Sequence, residues 1–289
     1  MTLNVGSDGM GSWCFGPMEP FLRRTFPHTT ITFDQEKPFD LVFRSHFTKM
    51  EAIAPYTCPY ILWSGESRGV APLADHDPLF ELNTFHSKRP NSIHFPHLIT
   101  ELRETKRPAP VPKIYCCAYA FSNCVVEREQ LFRAMRWVEP TCYSFGRSCP
   151  TYDRPFVAPA KIRRYNASLF NDFAFNVAME NMIAPGYMTE KIGFAFCSGS
   201  VPIYWGCTKT VNEFFNPAAF VNVCDYASPK VAGEMAIQIW RDRQKFQQYL
   251  DAPITVNTKL ADYEAIYTEY RPWQKPMVDI LQDTFPDFS

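Results

Sequence analysis

The sequence predicts an α/β fold of two halves joined by a short linker. The clearest signal is a strand–loop–helix–strand pattern between Phe173 and Gly206, which is the building block of a parallel sheet. Before about Arg103, short apolar runs cut by proline and glycine have the length of buried strands. Charge and proline then cluster from Glu101 to Pro112 (ELRETKRPAPVP), as in an interdomain segment.

The remaining elements follow from apolar runs and helical periodicity. The candidate strands outside the central pattern are Asn4–Val5, Asp40–Arg44 (DLVFR), Tyr60–Trp63 (YILW) and Lys113–Phe121 (KIYCCAYAF). An amphipathic helix is predicted over Glu127–Val138, with Leu131, Met135 and Val138 on its buried side.

The central pattern can be divided residue by residue. Phe173–Met179 is rich in aromatic and branched residues and predicts a strand. Thr189 is a candidate N-cap for the helix that follows, and Gly199 is placed to end that helix in the left-handed conformation. Val201–Trp205 predicts the second strand.

Polar residues gather where the first strand ends and the helix begins. They are Glu180, Asn181, Tyr187, Thr189, Glu190 and Lys191. In parallel sheets, ligands bind at the carboxyl ends of strands and at helix N-termini. A helix N-terminus beside a lysine favours a phosphate, and neighbouring carboxylates suit the hydroxyl groups of a ribose or another sugar.

These residues resemble the donor-binding motif of the α1,3-fucosyltransferases, written F-N-x-x-x-E-N, then Y-x-T-E-K, then V-P-I-Y-W-G. The matching positions are Phe175, Asn176, Glu180, Asn181, Tyr187, Thr189, Glu190, Lys191 and Val201 to Gly206. Phe215-Asn216-Pro217 and Phe220-Val221-Asn222-Val223 also resemble the bacterial branch of the family. The alternative is an ordinary βαβ unit with a solvated Glu–Lys pair.

Two further segments resemble parts of the same family. Glu66, directly after a predicted strand, matches the glutamate of the family's Gly-Glu-Ser-Pro segment, which is its proposed catalytic base; here Arg68 replaces the proline. Arg128 matches an arginine that reaches the donor phosphates, for which its fork of donors is suited. The alternatives are a turn glutamate facing water and a solvated helix charge.

The resemblance implies a GT-B type fold, with two Rossmann-like domains facing across a cleft. Residues 1–111 would form the acceptor side, and residues 112–289 would bind a nucleotide sugar, first of all GDP-fucose. Glu66 would deprotonate the acceptor in a single displacement with inversion, while Lys191 and Arg128 offset the charge of the leaving diphosphate. The implied donor-binding residues are Glu180, Asn181, Tyr187, Thr189, Glu190, Lys191 and Arg128, of which Asn181, Tyr187 and Glu190 contact the sugar and ribose.

Alternatives to this function remain open at the level of sequence. The donor could be another nucleotide sugar such as UDP-xylose, or the chain could be a non-catalytic glycan- or nucleotide-binding module. Asp75-His76-Asp77 has the D-x-D spacing of a metal-dependent glycosyltransferase. Because this spacing is common by chance and lies outside the recognised segment, we expect no metal cofactor. The expected partners are a nucleotide-sugar donor and a glycan acceptor.

Composition limits the remaining classes. The formal net charge of −1 argues against a general binder of nucleic acids. The sequence shows no signal peptide and no apolar run long enough to span a membrane, so we expect a soluble, cytoplasmic enzyme. None of the 10 cysteines forms a C-x-x-C pair; Cys142 and Cys149 could bridge in an oxidising compartment, but for a cytosolic chain we expect reduced thiols.

Overall fold

The computed structural model describes residues 1–8, 15–33, 38–45, 58–65, 77–101, 105–121, 123–145 and 167–288. Within these ranges the strands are β1 (Thr2–Asp8), β2 (Thr30–Phe33), β3 (Leu41–Ser45), β4 (Tyr60–Ser64), β5 (Glu81–Asn83), β6 (Ser92–His94), β7 (Tyr115–Tyr119), β8 (Cys142–Ser144), β9 (Phe173–Met179), β10 (Val201–Trp205) and β11 (Val221–Asn222). The helices are α1 (Phe15–Thr25), α2 (Leu98–Glu101), α3 (Val126–Val138), α4 (Glu190–Cys197), α5 (Thr208–Phe214), α6 (Pro229–Arg241), α7 (Arg243–Asp251), α8 (Lys259–Glu264) and α9 (Lys275–Thr284).

The predicted α/β class is confirmed by two parallel sheets. One sheet has six strands in the order β2-β1-β3-β4-β5-β6, and the other has five in the order β11-β10-β9-β7-β8. The described neighbouring strands pair in parallel in both sheets. None of the helices described here combines the length and apolarity that a membrane crossing needs.

The chain forms two compact units, each containing one sheet. The first comprises Met1–Arg103, Pro185–Tyr187 and Lys259–Ser289, and the second comprises Glu104–Ala184 and Met188–Thr258. The C-terminal segment therefore packs with the first unit, where Thr29 donates a hydrogen bond to the carbonyl of Phe288. The division predicted from the sequence instead includes that segment in the domain of residues 112–289. The acceptor and donor roles of the two halves stay predictions.

The central pattern of the sequence has the predicted order in the second unit. β9 and β10 coincide with the predicted strands, and their register pairs Phe175 with Val201 and Met179 with Trp205. Every residue of β9 is buried, as expected for a central strand of a parallel sheet. Pro202 lies inside β10 and is paired with Asn176 of β9, whereas the described pairing with β11 begins only at Ile203.

Helix α3 agrees with its prediction except at its last residue. Leu131 and Met135 are fully buried as predicted, against the same apolar core as Phe175 of β9. Val138 is 41% exposed, so its predicted burial is wrong. The buried stripe instead begins one turn earlier, at Arg128, and ends at Met135.

Helix α4 ends as the sequence predicts. Gly199 has a φ of 68°, in the left-handed region that glycine enters without strain. The backbone N–H of Gly199 donates to Phe196 and that of Ser200 donates to Ala195, at 2.9 and 3.2 Å. This pair of bonds is a Schellman motif, which satisfies the last carbonyls of the helix and directs the chain into β10.

Gly206, which follows β10, is required for a different reason. A Cβ atom at this position would collide with the hydroxyl group of Tyr204, whose side chain is fully buried. The glycine of the Y-W-G segment is therefore explained by close approach of a buried tyrosine rather than by backbone conformation.

We predict that Gly199→Ala lowers the free energy of unfolding by about 1–2 kcal/mol, because alanine is strained in the left-handed region. Gly16→Ala is the matched control, since a Cβ there meets no atom of a described residue within 4 Å. It lies inside helix α1, so it should leave stability unchanged or raise it by about 0.5–1 kcal/mol. Urea denaturation of both variants measures the difference, and equal effects would contradict the role assigned to Gly199.

Candidate functional site

Two polar residues follow β9 directly and extend to opposite sides of the strand end. The backbone N–H of Glu180 donates to the carbonyl of Trp205 at 2.8 Å, so the hydrogen bonding with β10 continues to Glu180. Successive residues of an extended chain point to opposite sides. Glu180 contacts the beginning of α4, whereas Asn181 contacts a side chain of α3.

The side chain of Glu180 is completely buried and accepts three hydrogen bonds. Its Oε1 atom accepts from the backbone N–H of Thr189 at 2.8 Å. Its Oε2 atom accepts from the Thr189 hydroxyl at 2.7 Å and from the Lys191 ammonium at 3.0 Å. A buried carboxylate needs such partners, because desolvation of an unpaired charge would be prohibitively costly.

Thr189 occupies the predicted N-cap position of α4 but does not cap the helix with its side chain. Its backbone is extended, with φ −112° and ψ −174°, and its hydroxyl makes no capping bond. The hydroxyl instead donates to Glu180 and accepts from Lys191 Nζ at 2.7 Å. The predicted position is confirmed and the expected capping bond is wrong, because Oγ1 accepts from the Lys191 ammonium instead of from a backbone N–H of α4.

Lys191 lies in the first turn of α4 with its ammonium group fixed. The side chain is 18% exposed, and two of its three N–H donors bond to Glu180 and Thr189. Within the described residues no contact uses the third donor. The N-terminus of α4 adds the partial positive charge of the helix dipole, and Glu190, its first residue, is partly exposed. This arrangement can bind an anion.

Arg128 supports the other side of the strand end. Its side chain is fully buried, and its guanidinium donates to the carbonyl of Met179 and to Oδ1 of Asn181, the shortest bonds being 2.7 Å. It also lies over the ring of Phe121, with 4.0 Å from Cζ to the ring centroid. A solvated helix charge is therefore excluded. The predicted contact of Arg128 with donor phosphates stays a prediction.

Tyr187 belongs to the first compact unit, in a short segment bound by histidines. It is fully buried. The His86 N–H donates to the carbonyl of Pro185, and His94 Nε2 donates to the carbonyl of Gly186, both at 2.9 Å. These histidine contacts could not be predicted from local sequence patterns, because they join residues far apart in the chain.

The remaining predicted residues have different outcomes. Glu66, the predicted base, lies outside the described residues, as do Asp75 and His76 of the D-x-D segment. Asp77 is described and exposed. Across the ranges the structure describes, no cluster of three or more His, Cys, Asp or Glu side chains is arranged to hold a metal ion.

We predict that Arg128→Met lowers the free energy of unfolding by about 2–4 kcal/mol, because the buried carbonyl of Met179 and the half-buried amide oxygen of Asn181 lose their donor at roughly 1–3 kcal/mol each. Arg133→Met on the same helix is the matched control, since the Arg133 side chain is 58% exposed and forms an ion pair with Glu129. Its effect should stay within about 0.5 kcal/mol. Chemical denaturation compares the two, and a loss no larger for Arg128 than for Arg133 would refute its structural role.

Two curated proteins are similar in sequence to part of this chain. The alpha-(1,3)-fucosyltransferase FucT of Helicobacter pylori is 46% identical over 66 residues, which are 22% of this chain and 14% of that protein. The alpha-(1,4)-fucosyltransferase of Arabidopsis thaliana is 25% identical over 170 residues, 54% of this chain and 37% of that protein. The chain thus spans well under two thirds of the length of these relatives.

The fold is similar to that of a solved protein. A crystal structure of an alpha1,3-fucosyltransferase with GDP superposes with a TM-score of 0.60 and covers 94% of this chain and 92% of its own, at 18% identity. In addition, the family model described as glycosyltransferase family 10 (fucosyltransferase) C-term matches residues 112–262, which include β9, α4 and the Glu180–Lys191 pair. Because that match covers more than half of the chain, the protein belongs to glycosyltransferase family 10, the fucosyltransferases.

Proposed function

We propose that the protein is an inverting glycosyltransferase that transfers L-fucose from GDP-fucose to a hydroxyl group of a glycan. The observation that carries this proposal is the fixed ammonium group of Lys191 at the N-terminus of α4, beside the carboxyl end of β9. Family membership supports the reaction class, and a structurally similar alpha1,3-fucosyltransferase was solved with GDP.

The diphosphate of the donor binds at the start of α4. A helix dipole contributes only about 0.3–1 kcal/mol to anion binding, so the Lys191 ammonium must supply most of the attraction. Asn181 and Glu190, which are both partly exposed, contact the sugar and the ribose, while Thr189 and Glu180 hold the Lys191 ammonium in place. Arg128 offsets the charge of the diphosphate from its buried position, either directly or by holding the Asn181 amide.

The transfer is a single displacement. Glu66 takes the proton of the acceptor hydroxyl, and the oxygen forms a bond to the anomeric carbon as the bond from that carbon to the diphosphate breaks. GDP leaves with its new negative charge offset by Lys191, which supplies the electrostatic stabilisation that a metal ion gives in other enzymes. We therefore propose transfer without a divalent metal.

We predict that GDP binds more tightly than UDP, by at least tenfold, because the base must be discriminated by buried polar contacts worth about 1–3 kcal/mol. Lys191→Met should weaken GDP binding by about tenfold or more, as expected for a lost charge-assisted hydrogen bond. Lys230→Met is the control, since the Lys230 side chain is 70% exposed on α6.

Isothermal titration calorimetry measures the affinity of the unaltered protein for GDP and for UDP, and the affinity of the Lys191→Met and Lys230→Met variants for GDP. Tighter binding of UDP would contradict GDP-fucose as the donor and would favour a UDP sugar, such as UDP-xylose. Equal GDP affinity in the Lys191→Met variant and in the unaltered protein would show that the phosphates bind elsewhere.

We predict that Glu66→Gln lowers the rate of transfer by about 10²-fold or more while GDP affinity is unchanged, because glutamine keeps the shape of the side chain but is not a base. Asp77→Asn, which removes a carboxylate of the D-x-D segment, should leave transfer unchanged. The assay measures GDP released from GDP-fucose in the presence of a glycan mixture and EDTA.

Three results of this assay would count against the mechanism. Normal transfer by Glu66→Gln would remove Glu66 from it. Activity that is lost in EDTA and restored by Mn²⁺ would support the metal-dependent alternative. No turnover by the unaltered protein, despite GDP binding, would favour the non-catalytic binding module.

A further inference from the structure

We infer that Glu180 is a positioning residue of the donor site, which holds the Lys191 ammonium and the first turn of α4 in place without touching the donor. This inference rests on the proposed function, because it concerns how the same site binds a diphosphate. It differs from the direct donor contact that the sequence motif implies for this residue.

The carboxylate of Glu180 has no exposed surface with which to meet a ligand. Its relative exposure is 0%, and both oxygen atoms are occupied by Thr189 and Lys191. A donor hydroxyl could reach it only by displacing one of these partners. The geometry therefore favours a role through its neighbours.

The contacts of Glu180 connect the buried strand β9 to the long side chain of Lys191. Its own backbone is fixed to β10 by the bond to Trp205. A lysine side chain has high rotamer entropy, so an ammonium that is already fixed loses less freedom when a phosphate binds. Thr189 Oγ1 connects the same two groups, with 2.7 Å to each of Glu180 Oε2 and Lys191 Nζ.

A purely stabilising role explains this arrangement less well. Buried ion pairs contribute little net stability, because desolvation offsets most of the attraction. A negative charge near a phosphate site also repels the ligand, and only its direct bonds to Lys191 and to the start of α4 make it compatible with anion binding. Position, rather than charge, is what Glu180 contributes.

The test uses Glu180→Asp, which keeps the charge and shortens the side chain by one methylene group. GDP affinity is measured by calorimetry for the unaltered protein, Glu180→Asp, Lys191→Met and the double variant. Glu180→Asp should weaken GDP binding about tenfold, and this loss should shrink to less than twofold in the Lys191→Met background, because the two residues act as one unit. A loss of thermal stability alone would not account for such a coupled loss, because it would not depend on the presence of Lys191.

The outcomes separate this inference from the function on which it rests. If Lys191→Met weakens binding but Glu180→Asp does not, Glu180 is not a positioning residue while the phosphate site stands. An equal loss from Glu180→Asp in both backgrounds would instead indicate direct contact with the donor, and would also overturn the inference. If the unaltered protein binds no GDP, both proposals fail together.

A second variant covers the case in which Glu180→Asp does not fold, as judged by circular dichroism. Thr189→Val removes the hydroxyl between the carboxylate and the ammonium but keeps both charges and the side-chain shape. It should weaken GDP binding about threefold to tenfold, again only when Lys191 is present. Affinity equal to that of the unaltered protein would contradict the inference.

Discussion

A carboxylate buried at the carboxyl end of β9 needs compensation for its charge, and the partners that provide it define the candidate site. Glu180 obtains this compensation from the backbone and hydroxyl of Thr189 and from the ammonium of Lys191. These contacts connect the end of β9 to the start of α4. They also hold the ammonium group of Lys191, a cation in the first turn of that helix. The position of this cation therefore depends on a buried negative charge.

The same strand end is supported from its other side by a buried positive charge. Arg128 reaches from α3 to the carbonyl of Met179 and the side chain of Asn181. β9 itself is a fully buried strand between β7 and β10, so both supports rest on the central strand of the second sheet. A site that holds a diphosphate benefits from such preorganisation, because less entropy is lost on binding.

Much of this unit could be predicted from the sequence because its signals are local. The strand-forming run of β9, the N-cap position of Thr189 and the left-handed Gly199 are each decided by a few neighbouring residues. The contacts that a side chain makes are not local. The Thr189 hydroxyl bonds to Glu180 instead of capping α4, and Arg128 is buried beneath Asn181, 53 positions along the chain. The packing of Lys259–Ser289 with the first unit likewise could not be predicted from local sequence patterns.

We expect the diphosphate of a guanine nucleotide to bind at the Lys191 ammonium, which Glu180 and Thr189 hold at the start of α4. A crystal structure of the protein with GDP would show where the diphosphate lies. We expect phosphate oxygens within hydrogen-bonding distance of Lys191 Nζ, with the bond from Lys191 to Glu180 retained. A diphosphate bound away from α4, or a Lys191 side chain turned from both Glu180 and the nucleotide, would contradict it.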